Sequence, residues 1–596
     1  MAPFCELSTP FKPVLDINYA PSDQEKEMIR ALLRDPELEL ENISDEIRKM
    51  EEDLARLNAR QKELYTFIHC HRMMLSTSRR LHGDILGEIF LQSVTNEGLP
   101  VCSLSEAPLS LTMVSRAWRE IAITTPRLWT AVDVVLPSSK PEWTVASLRA
   151  LMKGRTDGVR QWLDRSGSLP INISLRMEYQ ACTDWYLTLP QNDYGCDKAL
   201  ESICGFTSMV ASFCRRWRTL ILGLPYSPLL DPFRKLTAKD FPLLVEFIDP
   251  HTLQILPDPI PATPIHMLQF MKGAPALQRA QVAAVRPDLL EYSLPLRRLK
   301  LLHVSFTEDQ NGEAMLRTLS RLCPSLSECA VVLHKFNGML SDSTQIPLAP
   351  NEWVHLHTLK LSLFAIHRPA NSILTESIRM MFESVTTPSL TTLSLQIVNC
   401  GENMILPSDD LNEPLPFHNL ILRSQCRLER LELDMGLGSG FSTTLDTLPS
   451  LVSLKVGMRS QKQRVSTRSE YALCPEPSYF SQSKSVLAAL SHLGGKDAAF
   501  PNLHDINFNL CDPGDADLIL ELAREQSSLN GRLSIVKAEF RGLSVSDVEI
   551  LGNKLGEWRK GEGSCGVKME WAYAEGRLTR RDCGILPSRV QISDRT

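Results

Sequence analysis

The chain has 596 residues and a mass of 67.0 kDa, with 43% hydrophobic and 22% charged residues and a mean hydropathy of −0.11. That much apolar material supplies a core and excludes wholesale disorder, and at roughly 150 residues per domain the length implies about four domains or one long repeat array. A net charge of −6, with pI near 6.2, is too small per residue for nucleic-acid or anionic-membrane binding driven by the overall field.

The first residues, MAPFCELSTPFKPVLDINYAPSD, carry neither a basic n-region nor an apolar h-region. No stretch approaches the roughly 18 to 20 uninterrupted apolar residues of a membrane-spanning helix. The fifteen cysteines form no CxxC pair, and many sit beside an apolar residue, as in Val101-Cys102 and Leu322-Cys323. These features predict reduced thiols and a cytoplasmic or nuclear protein.

After an N-terminal segment, 1–36, apolar residues over 37–68 fall at alternating spacings of three and four. Leu40, Ile47, Leu54 and Ile68 take heptad position a, and Ile43, Met50, Leu57 and Leu64 take d; Gln61 is the one polar a residue. Glu51, Asp53 and Arg60 stand at e or g, where charges would face a partner helix. The spacing predicts a coiled-coil-like helix within 37–75, whose seam is covered either by its own protein or by self-association through 37–68.

A compact segment follows at 79–132. Leu81, Ile85, Leu86, Ile89 and Phe90 lay a wide apolar stripe along one helix, and further clusters follow at Leu109, Leu111, Val114 and Trp118 and at Ile121, Leu128 and Trp129. Within a connector at 133–216, VDVVL (132–136) and INISL (171–175) read as strands from their alternation and β-branched content.

From Trp217 to Tyr573 a short pattern recurs: apolar, two others, apolar, one other, apolar. It occurs as WRTLIL (217–222), LRRLKL (296–301), LHTLKL (356–361), LTTLSL (390–395), LERLEL (428–433), LVSLKV (451–456) and LHDINF (503–508). The last two apolar residues lie on one face of a short strand, so such strands can stack in parallel. Helical patterns intervene at 371–385 and 515–528, and strand, turn and helix per unit is the arithmetic of a solenoid. A helix at 546–558 (Val548, Leu551, Leu555, Trp558, with Ser546 and Glu549 as a capping box) and a strand in GVKMEWAY (566–573) end the array. A polar tail, 574–596, follows. The expected fold class is α/β, with a heptad helix, a three-helix segment and an irregular parallel-sheet solenoid.

Catalytic motifs are missing. No Walker P-loop, G-x-S-x-G elbow or H-E-x-x-H motif is present. His69 with His71, and His355 with His357, stand two apart, but without a third ligand at suitable spacing they read as surface or core histidines. No enzyme activity, cofactor or metal site is expected.

LHGDILGEIF, Val114-x-x-x-Trp118-Arg119 and Pro126-Arg127-Leu128-Trp129 together resemble the F-box, the adaptor-binding module of cullin-based ubiquitin ligases. The order of heptad helix, F-box and leucine-rich strands is similar to the large mushroom-type family of F-box proteins. The F-box resemblance covers about 50 of 596 residues. It implies a non-catalytic substrate receptor that docks on a Skp-type adaptor, and through it on a cullin-RING (SCF-type) ligase, while the repeat region captures an unknown protein substrate. Leu81, Ile85, Leu86, Ile89, Phe90, Val114, Trp118, Leu128 and Trp129 are the adaptor-facing residues it implies, each with internal packing as its alternative. The rival reading is a coiled-coil and leucine-rich interaction scaffold acting outside ubiquitination.

Overall fold

The structure is a computed structural model. It describes the chain except residues 1–8, 16–17, 76–79, 95–97, 138–144, 178–193, 225–227, 251–270, 285–289, 292–293, 307–310, 337–348, 366–370, 400–413, 436–439, 458–489, 491–501, 512, 529–532, 541–544, 562–566 and 574–596. The tail expected at 574–596 therefore lies outside the described residues. The chain divides into two units, Met1–Glu88 and Ile89–Thr596.

The first unit is dominated by one helix, α1 (Asp23–Met74), of 52 residues. At 1.5 Å per residue it runs for roughly 78 Å. It starts well before residue 37. Ser22 and Glu25 account for the earlier start, because the Ser22 backbone N–H donates to the Glu25 carboxylate at 2.8 Å and the Glu25 N–H reaches the Ser22 hydroxyl at 3.5 Å. Those two bonds satisfy orphan donors of the first turn, and the Ser22 hydroxyl, which donates to the Glu25 carboxylate at 2.7 Å, does most to hold that carboxyl below its ordinary range, followed by the Ser22 N–H and the Tyr19 hydroxyl. Pro36 stands inside the helix, where it removes one donor without ending it. Five ion pairs at i,i+3 line the surface: Asp23–Lys26, Glu27–Arg30, Asp45–Arg48, Asp53–Arg56 and Arg60–Glu63.

Helix α2 (Gly83–Ser93) carries the chain into the second unit. Two short helices follow, α3 (Leu111–Val114) and α4 (Arg116–Ile123), then a 3₁₀ turn at Pro126–Trp129. Ser115, extended between α3 and α4, accepts the Trp118 N–H at 3.1 Å and so caps α4.

Strand β1 (Ala131–Leu136) begins directly after that turn and opens a sheet that has fourteen strands among the described residues. Its order is β1, β2 (Ile171–Met177), β3 (Trp217–Gly223), β4 (Glu246–Ile248), β5 (Arg279–Ala284), β6 (Leu301–Phe306), β7 (Glu328–Phe336), β9 (Thr358–Ala365), β11 (Thr392–Asn399), β12 (Arg430–Asp434), β13 (Ser453–Gly457), β14 (Asp505–Cys511), β15 (Ile535–Phe540) and β16 (Lys568–Tyr573). Every neighbouring pair is parallel. Two further short strands, β8 (Asn351–Glu352) and β10 (Val385–Thr386), pair with each other in a separate parallel ladder. The chain thus lays each strand of the large sheet beside the one before it and returns through turns and helices. Helical returns include α5 (Val145–Arg165) and those at Gly312–Leu322, Asn371–Glu383 and Ala516–Ser528.

One backbone feature defines the frame of the windings. The residue after each leading apolar position donates its N–H to its counterpart one strand earlier: His357 to Ser327, Thr391 to His357, Glu429 to Thr391, Val452 to Glu429, His504 to Val452, Ser534 to His504 and Lys568 to Ser534. The preceding apolar side chains, including Leu326, Leu356, Leu390, Leu428, Leu451 and Leu503, are all buried. Directly in register follow Leu302, Cys329, Leu359, Leu393, Leu431, Leu454, Ile506, Val536 and Met569, buried as one row. Leu395 continues the next row with Leu361, Leu433 and Val456, while Thr392 and Ser394 are only half-buried.

This frame extends the array towards the N-terminus and corrects one reading of the pattern. The sheet already starts at Ala131, and the strands expected at 132–136 and 171–175 are its first two, ahead of the array read from Trp217. LRRLKL is read three residues too early, because Leu299, Leu302 and Val304 occupy the buried positions and Leu301 is half-exposed.

Candidate protein-docking surfaces

Helix α2 carries one wide apolar stripe that is covered on one flank only. Ile85 and Ile89 are one turn apart and exposed, whereas Leu86 and Phe90, also one turn apart, are buried. An amphipathic helix on a finished domain presents one apolar face inward and a polar face to water. In the first unit Leu81 is likewise exposed.

Within the second unit, the Phe90 ring packs against Trp118 with centroids 4.8 Å apart and planes tilted by 52°. That contact fixes α2 against α4. Trp118 is half-buried, and Val114, at the end of α3, is 57% exposed beside Met113 at 60%. Leu128 and Trp129 are buried completely. Trp129 donates its indole N–H to the Ala122 carbonyl at 2.8 Å, meets Trp162 edge-on at 5.0 Å, and lies under the Arg165 guanidinium at 4.5 Å. Burial lowers the Arg165 pKa from its ordinary value.

The nine residues singled out by resemblance therefore separate into two sets. Leu81, Ile85, Ile89 and Val114 are exposed and Trp118 is half-buried, while Leu86, Phe90, Leu128 and Trp129 are buried. Met113, Leu104 and Ile123 are exposed apolar residues that periodicity did not single out.

The large sheet offers the second surface. Its half-exposed face carries a run of cross-strand polar pairs. Arg176 bridges Asp133 at 2.6 Å, and Arg279 bridges Glu246 at 2.9 Å, raising the Arg279 pKa. Lys360 and the His303 ring both reach Glu328 Oε1, at 3.0 and 3.2 Å. Ser362 donates to the Gln396 side chain at 3.1 Å, Gln396 donates to Asp434 at 2.9 Å, and Ser394 donates to Glu432 at 3.2 Å. Towards the far edge, Lys568 on the same strand and Lys537 on the neighbouring one hold Glu570, whose carboxyl lies below its usual range through their hydrogen bonds. Such pairs satisfy one another across the face of the sheet.

Between β7 and β9, His334 stacks on Phe364 with centroids 5.7 Å apart, and burial pushes the His334 pKa down. Burial also drives the Cys323 thiol up to about 12 and Cys329 well above its ordinary value. These thiols are inert packing residues, since the thiolate is the reactive species. Among the described residues no cluster of three His, Cys, Asp or Glu side chains is placed to hold a metal ion, and no helix is long and apolar enough to cross a membrane.

No protein-family model matches this sequence, and no curated protein resembles it significantly.

Proposed function

We propose that the chain is a non-catalytic substrate receptor of a cullin-RING ubiquitin ligase. In this reading residues 79–132 are an F-box that docks on a Skp-type adaptor, and the parallel sheet is a leucine-rich-repeat-like solenoid that captures a protein substrate. The observation that carries it is the half-covered apolar stripe of helix α2: Leu86 and Phe90 are buried, while Ile85 and Ile89 on its other flank are exposed. Catalysis would belong to the ligase assembly. The receptor would contribute proximity, turning transfer to its bound substrate into an effectively intramolecular event.

The test is binding of the full chain to a Skp-type adaptor. Ile89→Asp and Val114→Asp change exposed side chains, so both variants should stay folded by circular dichroism, and each should weaken binding by roughly thirtyfold or more if it sits at a hot spot. Adaptor binding without co-purifying cullin would favour the scaffold reading, to which the exposed heptad seam of α1 also lends weight. Undiminished binding in both folded variants would remove this surface from the interface.

A further inference from the structure

Among the described residues, the heptad seam of α1 is exposed along its length. Leu40, Ile43, Ile47, Met50, Leu54, Leu57, Leu64 and Ile68 are all exposed, Leu54 and Leu57 at 60% and 63%. A stripe of this length sustained over four heptads is the pattern that pairs helices.

We propose that α1 pairs with α1 of a second copy of this chain, antiparallel, about a two-fold axis passing between Ala55 and Arg56. The charges flanking the seam select this arrangement. Position g is occupied by Glu39, Glu46, Asp53, Arg60 and Phe67, and position e by Ser44, Glu51, Asn58, Tyr65 and Arg72. In a parallel, in-register pair each g residue meets the e residue five positions further along the other helix. Glu46 would then face Glu51 of the second copy, twice, and no oppositely charged pair would form. In an antiparallel pair g meets g and e meets e. With the axis between Ala55 and Arg56, Asp53 faces Arg60 of the second copy, twice, Glu51 faces Asn58, and like charges do not meet. Moving the axis one step towards the N-terminus sets Asp53 against Asp53 and Glu51 against Glu51. Moving it one step the other way sets Arg60 against Arg60.

The apolar layers agree with the same register. Leu54 lies across from Leu57 of the second copy, Ile47 from Leu64 and Ile43 from Ile68, and the polar Gln61 meets the adaptable Met50. The seam overlaps from Ile43 to Ile68, Leu40 lies across from His71 of the second copy, and the pair closes on itself as an isologous dimer. Asp53 and Arg60 now pair within their own helix, with Arg56 and Glu63. Both pairs are exposed and weak, so they yield at little cost to a contact across the dimer.

The experiment is sedimentation equilibrium of the full chain. The wild type should be a dimer at micromolar concentration, and Leu54→Lys should make it monomeric. Asp53→Arg alone, or Arg60→Asp alone, should raise the dissociation constant about tenfold by setting like charges across the pair. The double swap Asp53→Arg/Arg60→Asp should return it towards the wild-type value, although it destroys both intrahelical pairs. A parallel pair would be insensitive to these swaps and tightened by Glu51→Lys, which would overturn the proposed orientation. A monomeric wild type, or a dimer that survives Leu54→Lys, would overturn the pairing itself.

Discussion

Trp129 donates its indole N–H to the backbone carbonyl of Ala122 at 2.8 Å, tying the end of α4 to the turn that launches the first strand of the sheet. The ring is fully buried and sits edge-on to Trp162 of α5, whose own indole donates to the Ala131 carbonyl at 3.1 Å. The three-helix segment from Ile89 onward is therefore fastened to the sheet by two tryptophans.

Trp129→Ala should cost about 3 to 5 kcal/mol of stability, through the lost burial and the cavity left behind. Trp129→Phe keeps most of the apolar area and gives up chiefly the hydrogen bond, at about 1 kcal/mol. Urea denaturation of both variants measures the difference. An alanine variant as stable as wild type would show that Trp129 is not part of the core. Because the residue is buried, substituting it tests folding before it tests adaptor binding.

A second prediction separates the two faces of β11. Leu395 is completely buried, so Leu395→Ala should destabilise the chain by about 2 to 5 kcal/mol. Ser394 is half-exposed and donates only to Glu432, so Ser394→Ala should change stability by less than about 1 kcal/mol. Equal effects on the unfolding midpoint would contradict the assignment of faces.

The strands that are legible in the sequence are those with Leu, Ile, Val or Phe at both inward positions, as in LHTLKL, LTTLSL, LERLEL and LVSLKV. The others are hidden by chemistry at the same positions. Strand β5 buries Ala280, β7 buries Cys329 and β15 buries Ala538, small residues that an apolar pattern built on leucine passes over, and after β4 the inward position falls on Asp249. Around β6 the difficulty is the reverse. Leu296, Leu299, Leu301 and Leu302 satisfy the pattern in two frames, and only the backbone ladder through Lys300 and Ser327 decides between them. On α2 the spacing identifies Ile85, Leu86, Ile89 and Phe90 equally. Periodicity measures angular position on a helix but cannot report which side another element covers, so the division into exposed and buried pairs needed tertiary structure.

The last prediction concerns acid. Glu328 on β7 lies between His303 of β6 and Lys360 of β9, at 3.2 and 3.0 Å. Partial burial pushes its pKa up, but the hydrogen bonds and charge of Lys360 and His303 outweigh it, and the carboxyl ends below its ordinary value of 4.5. A carboxyl whose folded pKa is depressed contributes stability that is fully present above its unfolded value and disappears as pH falls through the folded one. The cluster is solvent-accessible and screened, so the contribution should be no more than about 1 kcal/mol. Glu328→Gln should accordingly lower the urea midpoint at pH 7, and the gap from wild type should close as the buffer is taken from about pH 5 towards pH 3. A gap that stays constant across that range would mean that the glutamine acts through packing and that the ion pairs contribute nothing to stability.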